Sequence, residues 1–313
     1  MPCVDLVASD PRIGLGCMPM SFGYVDAASD DDPAAVIGRA LDLGVTMFDT
    51  ADVYGPFTNE ELVGRSLEGR RHRATIATKV GLVVGPTGGY PLQRDGRPEH
   101  IAAAARASLR RLRTDVIDLY YLHRVDDRVP LEESWGAMAG LVHEGLVRAV
   151  GLSEVGVGEL ERAHAMHPVA SVQSELSLWT RDALDEVVPW CAAHGAAFVP
   201  FSPLGRGFLT GSIEAASFDE RDFRASNPRF TAQAIEANQA IVTVVRSVAE
   251  RAGATPAQVA IAWTLAHGPH VVPIPGTKRV RYLEENVAAA DVTLSPDDLA
   301  ELDSMPASAA PRY

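Results

Sequence analysis

The sequence predicts an α/β chain folded as a parallel (β/α)₈ TIM barrel with long loops at its C-terminal face. Three observations lead there. Eight short apolar runs alternate with amphipathic stretches from one end of the chain to the other. The length of 313 residues suits a single barrel, which commonly runs to roughly 250 residues before insertions. Residues able to do chemistry fall at the ends of several of these runs, as they do in such barrels. One domain spanning residues 1–313 is therefore expected.

Strands are expected at residues 13–16, 44–48, 74–79, 117–122, 149–153, 169–175, 196–201 and 271–274. Helices are expected between them at 34–43, 60–67, 99–112, 131–144, 157–164 and 183–194, with a longer helical region over 231–267. Start signals support several of these. Asp32-Pro33 precedes the first helix, Arg97-Pro98-Glu99 the third, and Ser295-Pro296-Asp297-Asp298 opens a short final one. Two connections are too long for minimal turns. Residues 80–98 are rich in Gly and Pro, and residues 204–230 carry Asp219, Glu220, Arg221, Asp222 and Arg224. Loops of that length in a compact domain usually form lids or binding walls; solvated insertions are the plainer alternative.

A hydrophobic fraction of 47% is ample for a large core. The net charge of −13 argues against a nucleic-acid surface, so any anionic ligand must find local positive charge. Cys3, Cys17 and Cys191 show neither paired nor metal-ligand spacing, which points to reduced thiols in the cytoplasm. The opening Met1-Pro2-Cys3-Val4-Asp5 lacks the character of a signal peptide. No apolar run approaches the ~20 residues that span a bilayer, so no membrane partner is expected.

The most informative stretch is Phe48-Asp49-Thr50-Ala51-Asp52-Val53-Tyr54-Gly55-Pro56. Asp49 falls where the second strand ends, Lys79 closes the third, and His123 follows the fourth. Carboxylate, phenol, ammonium and imidazole together are what carbonyl reduction requires. A hydride arriving at an aldehyde or ketone carbon makes an alkoxide, and a proton must reach that oxygen. A free phenol, with a pKa of about 10, is a reluctant donor. A nearby Lys79 ammonium favours the phenolate and should make Tyr54 the stronger acid. Asp49 can hold the lysine, and His123 can orient the carbonyl oxygen. Singly, each has an ordinary alternative: a turn cap, loop packing, a snorkelling lysine, a core histidine. Their joint occurrence at successive strand ends favours the chemical reading.

The surrounding words, Phe48 to Gly55, Thr78-Lys79 and Leu119-Tyr120-Tyr121-Leu122-His123-Arg124, resemble the signature blocks of the aldo-keto reductase family. So do Gly151-Leu152-Ser153-Glu154, Gln173 to Ser177, Phe201-Ser202-Pro203-Leu204-Gly205-Arg206-Gly207, and Ile274-Pro275-Gly276-Thr277-Lys278 through Leu283-Glu284-Glu285-Asn286. The resemblance runs nearly end to end. It implies that Tyr54 is the proton donor of a tetrad completed by Asp49, Lys79 and His123. It implies that Ser153 and Gln173 hold a nicotinamide carboxamide, and that Phe201 stacks on the nicotinamide ring. Ser202, Leu204, Gly205 and Gly207 then match the loop around a pyrophosphate; Gly276, Thr277, Lys278, Tyr282, Glu285 and Asn286 match contacts toward the adenosine. Two positions depart. Many relatives carry Asn where Glu154 stands, and an Arg often stands where Tyr282 is. Lys278, Arg279 and Arg281 offer cations for a 2′-phosphate, so NADPH is preferred over NADH.

Gly205-Arg206-Gly207-Phe208-Leu209-Thr210-Gly211 superficially resembles a dinucleotide fingerprint, but its third glycine is one position late and no periodic helix opens after it. No Tyr-x-x-x-Lys pair includes Tyr54 either. The expected activity is NADPH-dependent reduction of a small carbonyl compound, without a metal. A metal-dependent barrel hydrolase would need more ligands than His123 supplies. A non-catalytic NADPH-sensing protein, or a dehydrogenase of sugars or alcohols working toward oxidation, would use the same residues. Met20, Phe22, Tyr24, Val53, residues 80–98 and Trp179 are expected to wall the substrate pocket, suited to a mid-sized, partly apolar compound. Oligomeric state leaves no signal in the sequence.

Overall fold

The computed structural model describes residues 12–25, 32–85, 92–214 and 217–312. Cys3, the opening five residues and short parts of both long loops lie outside the described residues. The strands are β1 (Leu15–Gly16), β2 (Met47–Asp49), β3 (Thr75–Val80), β4 (Leu82–Val83), β5 (Gln93–Arg94), β6 (Ile117–Leu122), β7 (Val147–Ser153), β8 (Ser171–Glu175) and β9 (Ala197–Phe201). Seven of them form one sheet in the order β1-β2-β3-β6-β7-β8-β9, every pair parallel. The remaining two, β4 and β5, pair antiparallel as a hairpin inside the first long loop.

The eighth stave of the barrel comes from residues 270–276, and the strand expected at 271–274 is a correction: only isolated bridges form there. On one side Phe198 donates to the His270 carbonyl, Val272 donates to Phe198 and Ile274 donates to Pro200. On the other, Gly14 donates to the Pro273 carbonyl and Gly16 to that of Pro275. Pro273 and Pro275 have no N–H to return, so this seam is half a ladder. The chain closes there by close approach instead. A Cβ on Gly16 would lie 2.8 Å from the Ile274 carbonyl oxygen, and one on Gly14 2.8 Å from the Ile274 side chain. The sheet is a closed (β/α)₈ barrel.

The helices are α1 (Pro33–Asp42), α2 (Thr58–Ser66), α3 (Pro98–Leu112), α4 (Leu131–His143), α5 (Val157–Met166), α6 (Val187–His194), α7 (Ala232–Ala252), α8 (Pro256–Leu265), α9 (Val280–Val287) and α10 (Pro296–Asp303). Asp32 caps α1 through the Ala34 N–H, and Ser295 forms a capping box with Asp298 at α10. The region expected as one long helix divides into α7 and α8. Gly253 ends α7 in the left-handed region at φ +64°, and Thr255 starts a new helix with Gln258 as its box partner. Outward strand residues such as Phe48, Ile76, Tyr120, Val150, Val172 and Phe198 pack in one core with the helices. Inward residues Met47, Ala77, Leu119, Tyr121, Ala149, Ala197, Val199, Val272 and Ile274 fill the barrel itself. Among the described residues, no helix is long and apolar enough to cross a membrane.

Candidate active site

Strand parity delivers the site. Side chains two apart share a face, so the inward row that fills the barrel continues upward into the chemistry. Asp49 follows Met47, Lys79 follows Ala77, His123 follows Tyr121, and Phe201 follows Val199. Gln173 follows Ser171, whose hydroxyl hydrogen-bonds Tyr121 across the interior at 2.7 Å. Ser153 follows Gly151, and glycine is needed there because a Cβ would lie 2.5 Å from the Tyr121 ring.

Tyr54 arrives from the loop after β2. That loop is tied down at each step: Thr50 donates to Ala77, Asp52 to Lys79 and Phe57 to Asp52, all backbone to backbone. Gly55 makes the turn at φ +76°. Asn59, at the start of α2, donates to the Cys17 carbonyl at 2.9 Å and accepts from the Thr50 hydroxyl at 2.7 Å. The Tyr54 ring lies beside Phe22 and edge-on to His123, each at 6.0 Å between centroids.

The tetrad predicted from sequence is brought together. Lys79 is fully buried and donates to Asp49 Oδ1 at 2.5 Å, to the Thr50 carbonyl at 2.8 Å and to Tyr54 Oη at 3.4 Å. Gln173 donates its amide to Asp49 Oδ2 at 2.8 Å, a partnership that nothing in the sequence announced. Burial works against the Lys79 charge, but Asp49 and Tyr54 outweigh it and its pKa lies above the ordinary lysine value. The phenol departs from the sequence expectation. Burial pushes Tyr54 upward more strongly than the Lys79 ammonium pulls it down, and Asp49 adds to the rise. Tyr54 thus holds its proton more firmly than a free phenol, with the Lys79 ammonium beside its oxygen. Burial first, then the charges of Lys79 and Arg124, hold His123 well below its ordinary pKa, so the imidazole is neutral.

A cavity of about 890 Å³ opens above these groups. Asp49, Tyr54 and His123 line it; Lys79 stands behind them. Ser153, Gln173, Phe201, Ser202, Leu204, Gly207, Gly276, Thr277, Lys278, Tyr282, Glu285 and Asn286 line it too. Gly205 does not. Its Cβ would lie 2.8 Å from Trp179, so glycine at φ +55° serves the turn of this loop. Arg206 lines the cavity in its place. At its Tyr54 end the cavity is lined by Phe22, Tyr24 and Val53, and by Leu82, Leu92 and Arg94 from the β4–β5 loop. Met20 and Trp179 are corrections. Met18 and Pro19 take the first position, while Trp179 is buried under the Ser202–Gly207 loop, stacked on Phe208 at 4.7 Å.

Ser153 accepts from Arg124 at 3.1 Å, and Arg124 itself lines the cavity next to His123. Glu154 turns away from the cavity. Its backbone is left-handed at φ +58°, where Asn is better tolerated than Glu. Its carboxylate accepts from the Glu175 N–H at 2.8 Å and pairs with Arg312. Tyr282 lies between two guanidinium groups, Arg279 at 5.5 Å and Arg281 at 4.7 Å from its ring centre.

Residues 12–307 match the model of the Aldo/keto reductase family. The chain is 43% identical over 293 residues to the probable aldo-keto reductase 1 of Glycine max, covering 93% of this chain and 84% of that protein. It superposes on the glycerol dehydrogenase of Gluconobacter oxydans with a TM-score of 0.85 at 30% identity, over 93% and 90% of the two chains. An aldo/keto reductase of Klebsiella pneumoniae in complex with NADP and acetate matches with a TM-score of 0.71 at 28% identity, again over 93% and 90%. A barrel whose strand ends gather Asp49, Tyr54, Lys79 and His123, matched to that family along nearly all its length, belongs to the aldo/keto reductase family.

Proposed function

We propose that this protein is an NADPH-dependent carbonyl reductase in which Tyr54 protonates the substrate oxygen. The observation that carries this reading is the buried hydrogen-bonded series Gln173–Asp49–Lys79–Tyr54, which opens into a cavity beside a neutral His123. The cavity also fits the cofactor. It runs from Tyr54 past Phe201 to Lys278 and Arg279, and Arg206 and Arg281 add positive charge to its lining in a chain of net charge −13. The Klebsiella pneumoniae relative in complex with NADP supports the same assignment.

A bound reduced nicotinamide would supply the hydride for the carbonyl carbon. The chain's own residues do the rest. His123, neutral, orients the oxygen by hydrogen bonding without competing for the proton. Tyr54 Oη releases its proton to that oxygen, and Lys79 stabilises the phenolate left behind. Asp49 holds Lys79, and Gln173 holds Asp49. Phe22, Val53, Leu82 and Leu92 give the substrate an apolar wall and exclude water. Cys17 and Cys191 are buried free thiols, which supports a cytoplasmic setting.

Oxidation of a small alcohol is a second reading, favoured by the likeness to a glycerol dehydrogenase. A panel of aldehydes, ketones and quinones with NADPH, and of alcohols with NADP⁺, separates the two by rate. NADPH bound but consumed with no member of the panel would overturn both and leave a sensing protein. Lys278→Ala with Arg279→Ala should raise the NADPH Kd about tenfold or more, since a charge-assisted contact contributes roughly 1.5–3 kcal/mol, and barely change that for NADH. Fluorescence titration reads this directly; equal weakening of both cofactors would make the cluster structural.

A further inference from the structure

Two carboxylates and three guanidinium groups meet beside the Phe201 end of the cavity. Glu175, 2% exposed at the end of β8, takes Arg229 at 3.3 Å and Arg206 at 3.4 Å, and Arg312 Nε lies 3.0 Å from it. Thr180 donates to the same carboxylate at 2.9 Å. Arg312 also pairs with Glu154 and places its guanidinium 5.7 Å from the centre of the Phe201 ring. Arg312 comes from the segment after α10, which is fastened along its length. Asn238 accepts from the Ala309 N–H at 2.9 Å, Arg229 donates to the Ala310 carbonyl at 3.3 Å, and Asn227 donates to the Arg312 carbonyl at 3.1 Å. The segment is a strap fastened to Asn227, Arg229 and Asn238 and anchored by the charge cluster.

The cluster joins the parts of the wall that the nicotinamide end would touch. Glu154 follows Ser153 directly, and its N–H donates to the Gln173 carbonyl at 3.0 Å. Arg206 belongs to the loop after β9, and Phe201 ends that strand. A guanidinium fork can hold two carboxylates and lie on an aromatic ring at once, which an ammonium cannot. We propose that Arg312 is a positioning residue for the nicotinamide end of the cofactor: through Glu154 and Glu175, and by packing on Phe201, it holds the wall against which the ring is pressed. This rests on the cofactor reading above. It gives the departure at Glu154 a purpose, since a carboxylate there anchors the strap.

The test is binding, read with two ligands. Arg312→Ala should raise the NADPH Kd about fivefold to tenfold, less than the loss of a direct charge-assisted contact, because the residue acts through the wall. The Kd for 2′,5′-ADP, which has the adenosine end and lacks the nicotinamide, should stay unchanged. Glu154→Gln should give the same pattern, and the double variant should be little worse than Arg312→Ala, because the pair acts as a unit. Arg312→Lys should show the same pattern more weakly and guards against a variant that fails to fold. Equal weakening of both ligands, or no weakening of NADPH, overturns the proposal. Wild-type protein that binds neither ligand overturns the cofactor reading, and the proposal falls with it.

Discussion

Tyr54→Phe is expected to bind NADPH nearly as well as the wild type while carbonyl reduction falls by about 10²–10⁴-fold, the usual cost of losing a positioned acid. The ring stays between Phe22 and His123, so the cavity keeps its shape and only the proton is lost. Among the described residues, Tyr54 Oη is the one phenol that Lys79 reaches. Tyr120 and Tyr121 are fully buried in the strands and do not line the cavity. Stopped-flow reduction by this variant at close to the wild-type rate would move the acid elsewhere.

Lys79→Met should lose turnover on a similar scale and stability as well. The lysine is fully buried with Asp49 at 2.5 Å, and breaking a buried pair by removing one partner typically costs about 3–5 kcal/mol. A denaturant titration should read that loss, and Asp49→Asn combined with Lys79→Met should recover a good part of it without restoring the rate. The pH dependence separates electrostatics from folding. The Tyr54 phenol already lies above its ordinary pKa because of burial, with Lys79 pulling it down. Without that cation the phenol rises further. Any residual activity should therefore persist to higher pH before it falls, and an unshifted alkaline limb would contradict the role given to Lys79.

Much of the site was legible because strand parity is a local signal. Asp49, Lys79 and His123 stand at or just past the ends of apolar runs, and Tyr54 sits in a loop word with a glycine at its turn. The acidity of Tyr54 was legible only in part. The lysine's pull follows from adjacency, but the larger opposing effect of burial needs the closed barrel. The eighth stave was expected as a strand over 271–274 and is not a regular one, because Pro273 and Pro275 donate no hydrogen bonds. The single helical region over 231–267 broke at Gly253 and Thr255, both visible as letters but weak against a long periodic run. Trp179 was misplaced because an aromatic after a strand end looks the same whether it faces a ligand or the underside of a loop. The Glu154–Arg312 pair was out of reach, being 158 residues apart with no shared motif. Gln173 on Asp49 was hidden in the same way, 124 residues apart.

The proposed reaction passes a hydride from NADPH to a carbonyl carbon in the cavity above Tyr54. Reduction of an accepted aldehyde or ketone with NADPH deuterated at both C4 positions, in ordinary water, tests it most directly. Mass spectrometry of the product is expected to find deuterium on the former carbonyl carbon of every alcohol molecule, with none lost to solvent. Unlabelled alcohol, or NADPH held tightly and never consumed by any carbonyl compound offered, would contradict it.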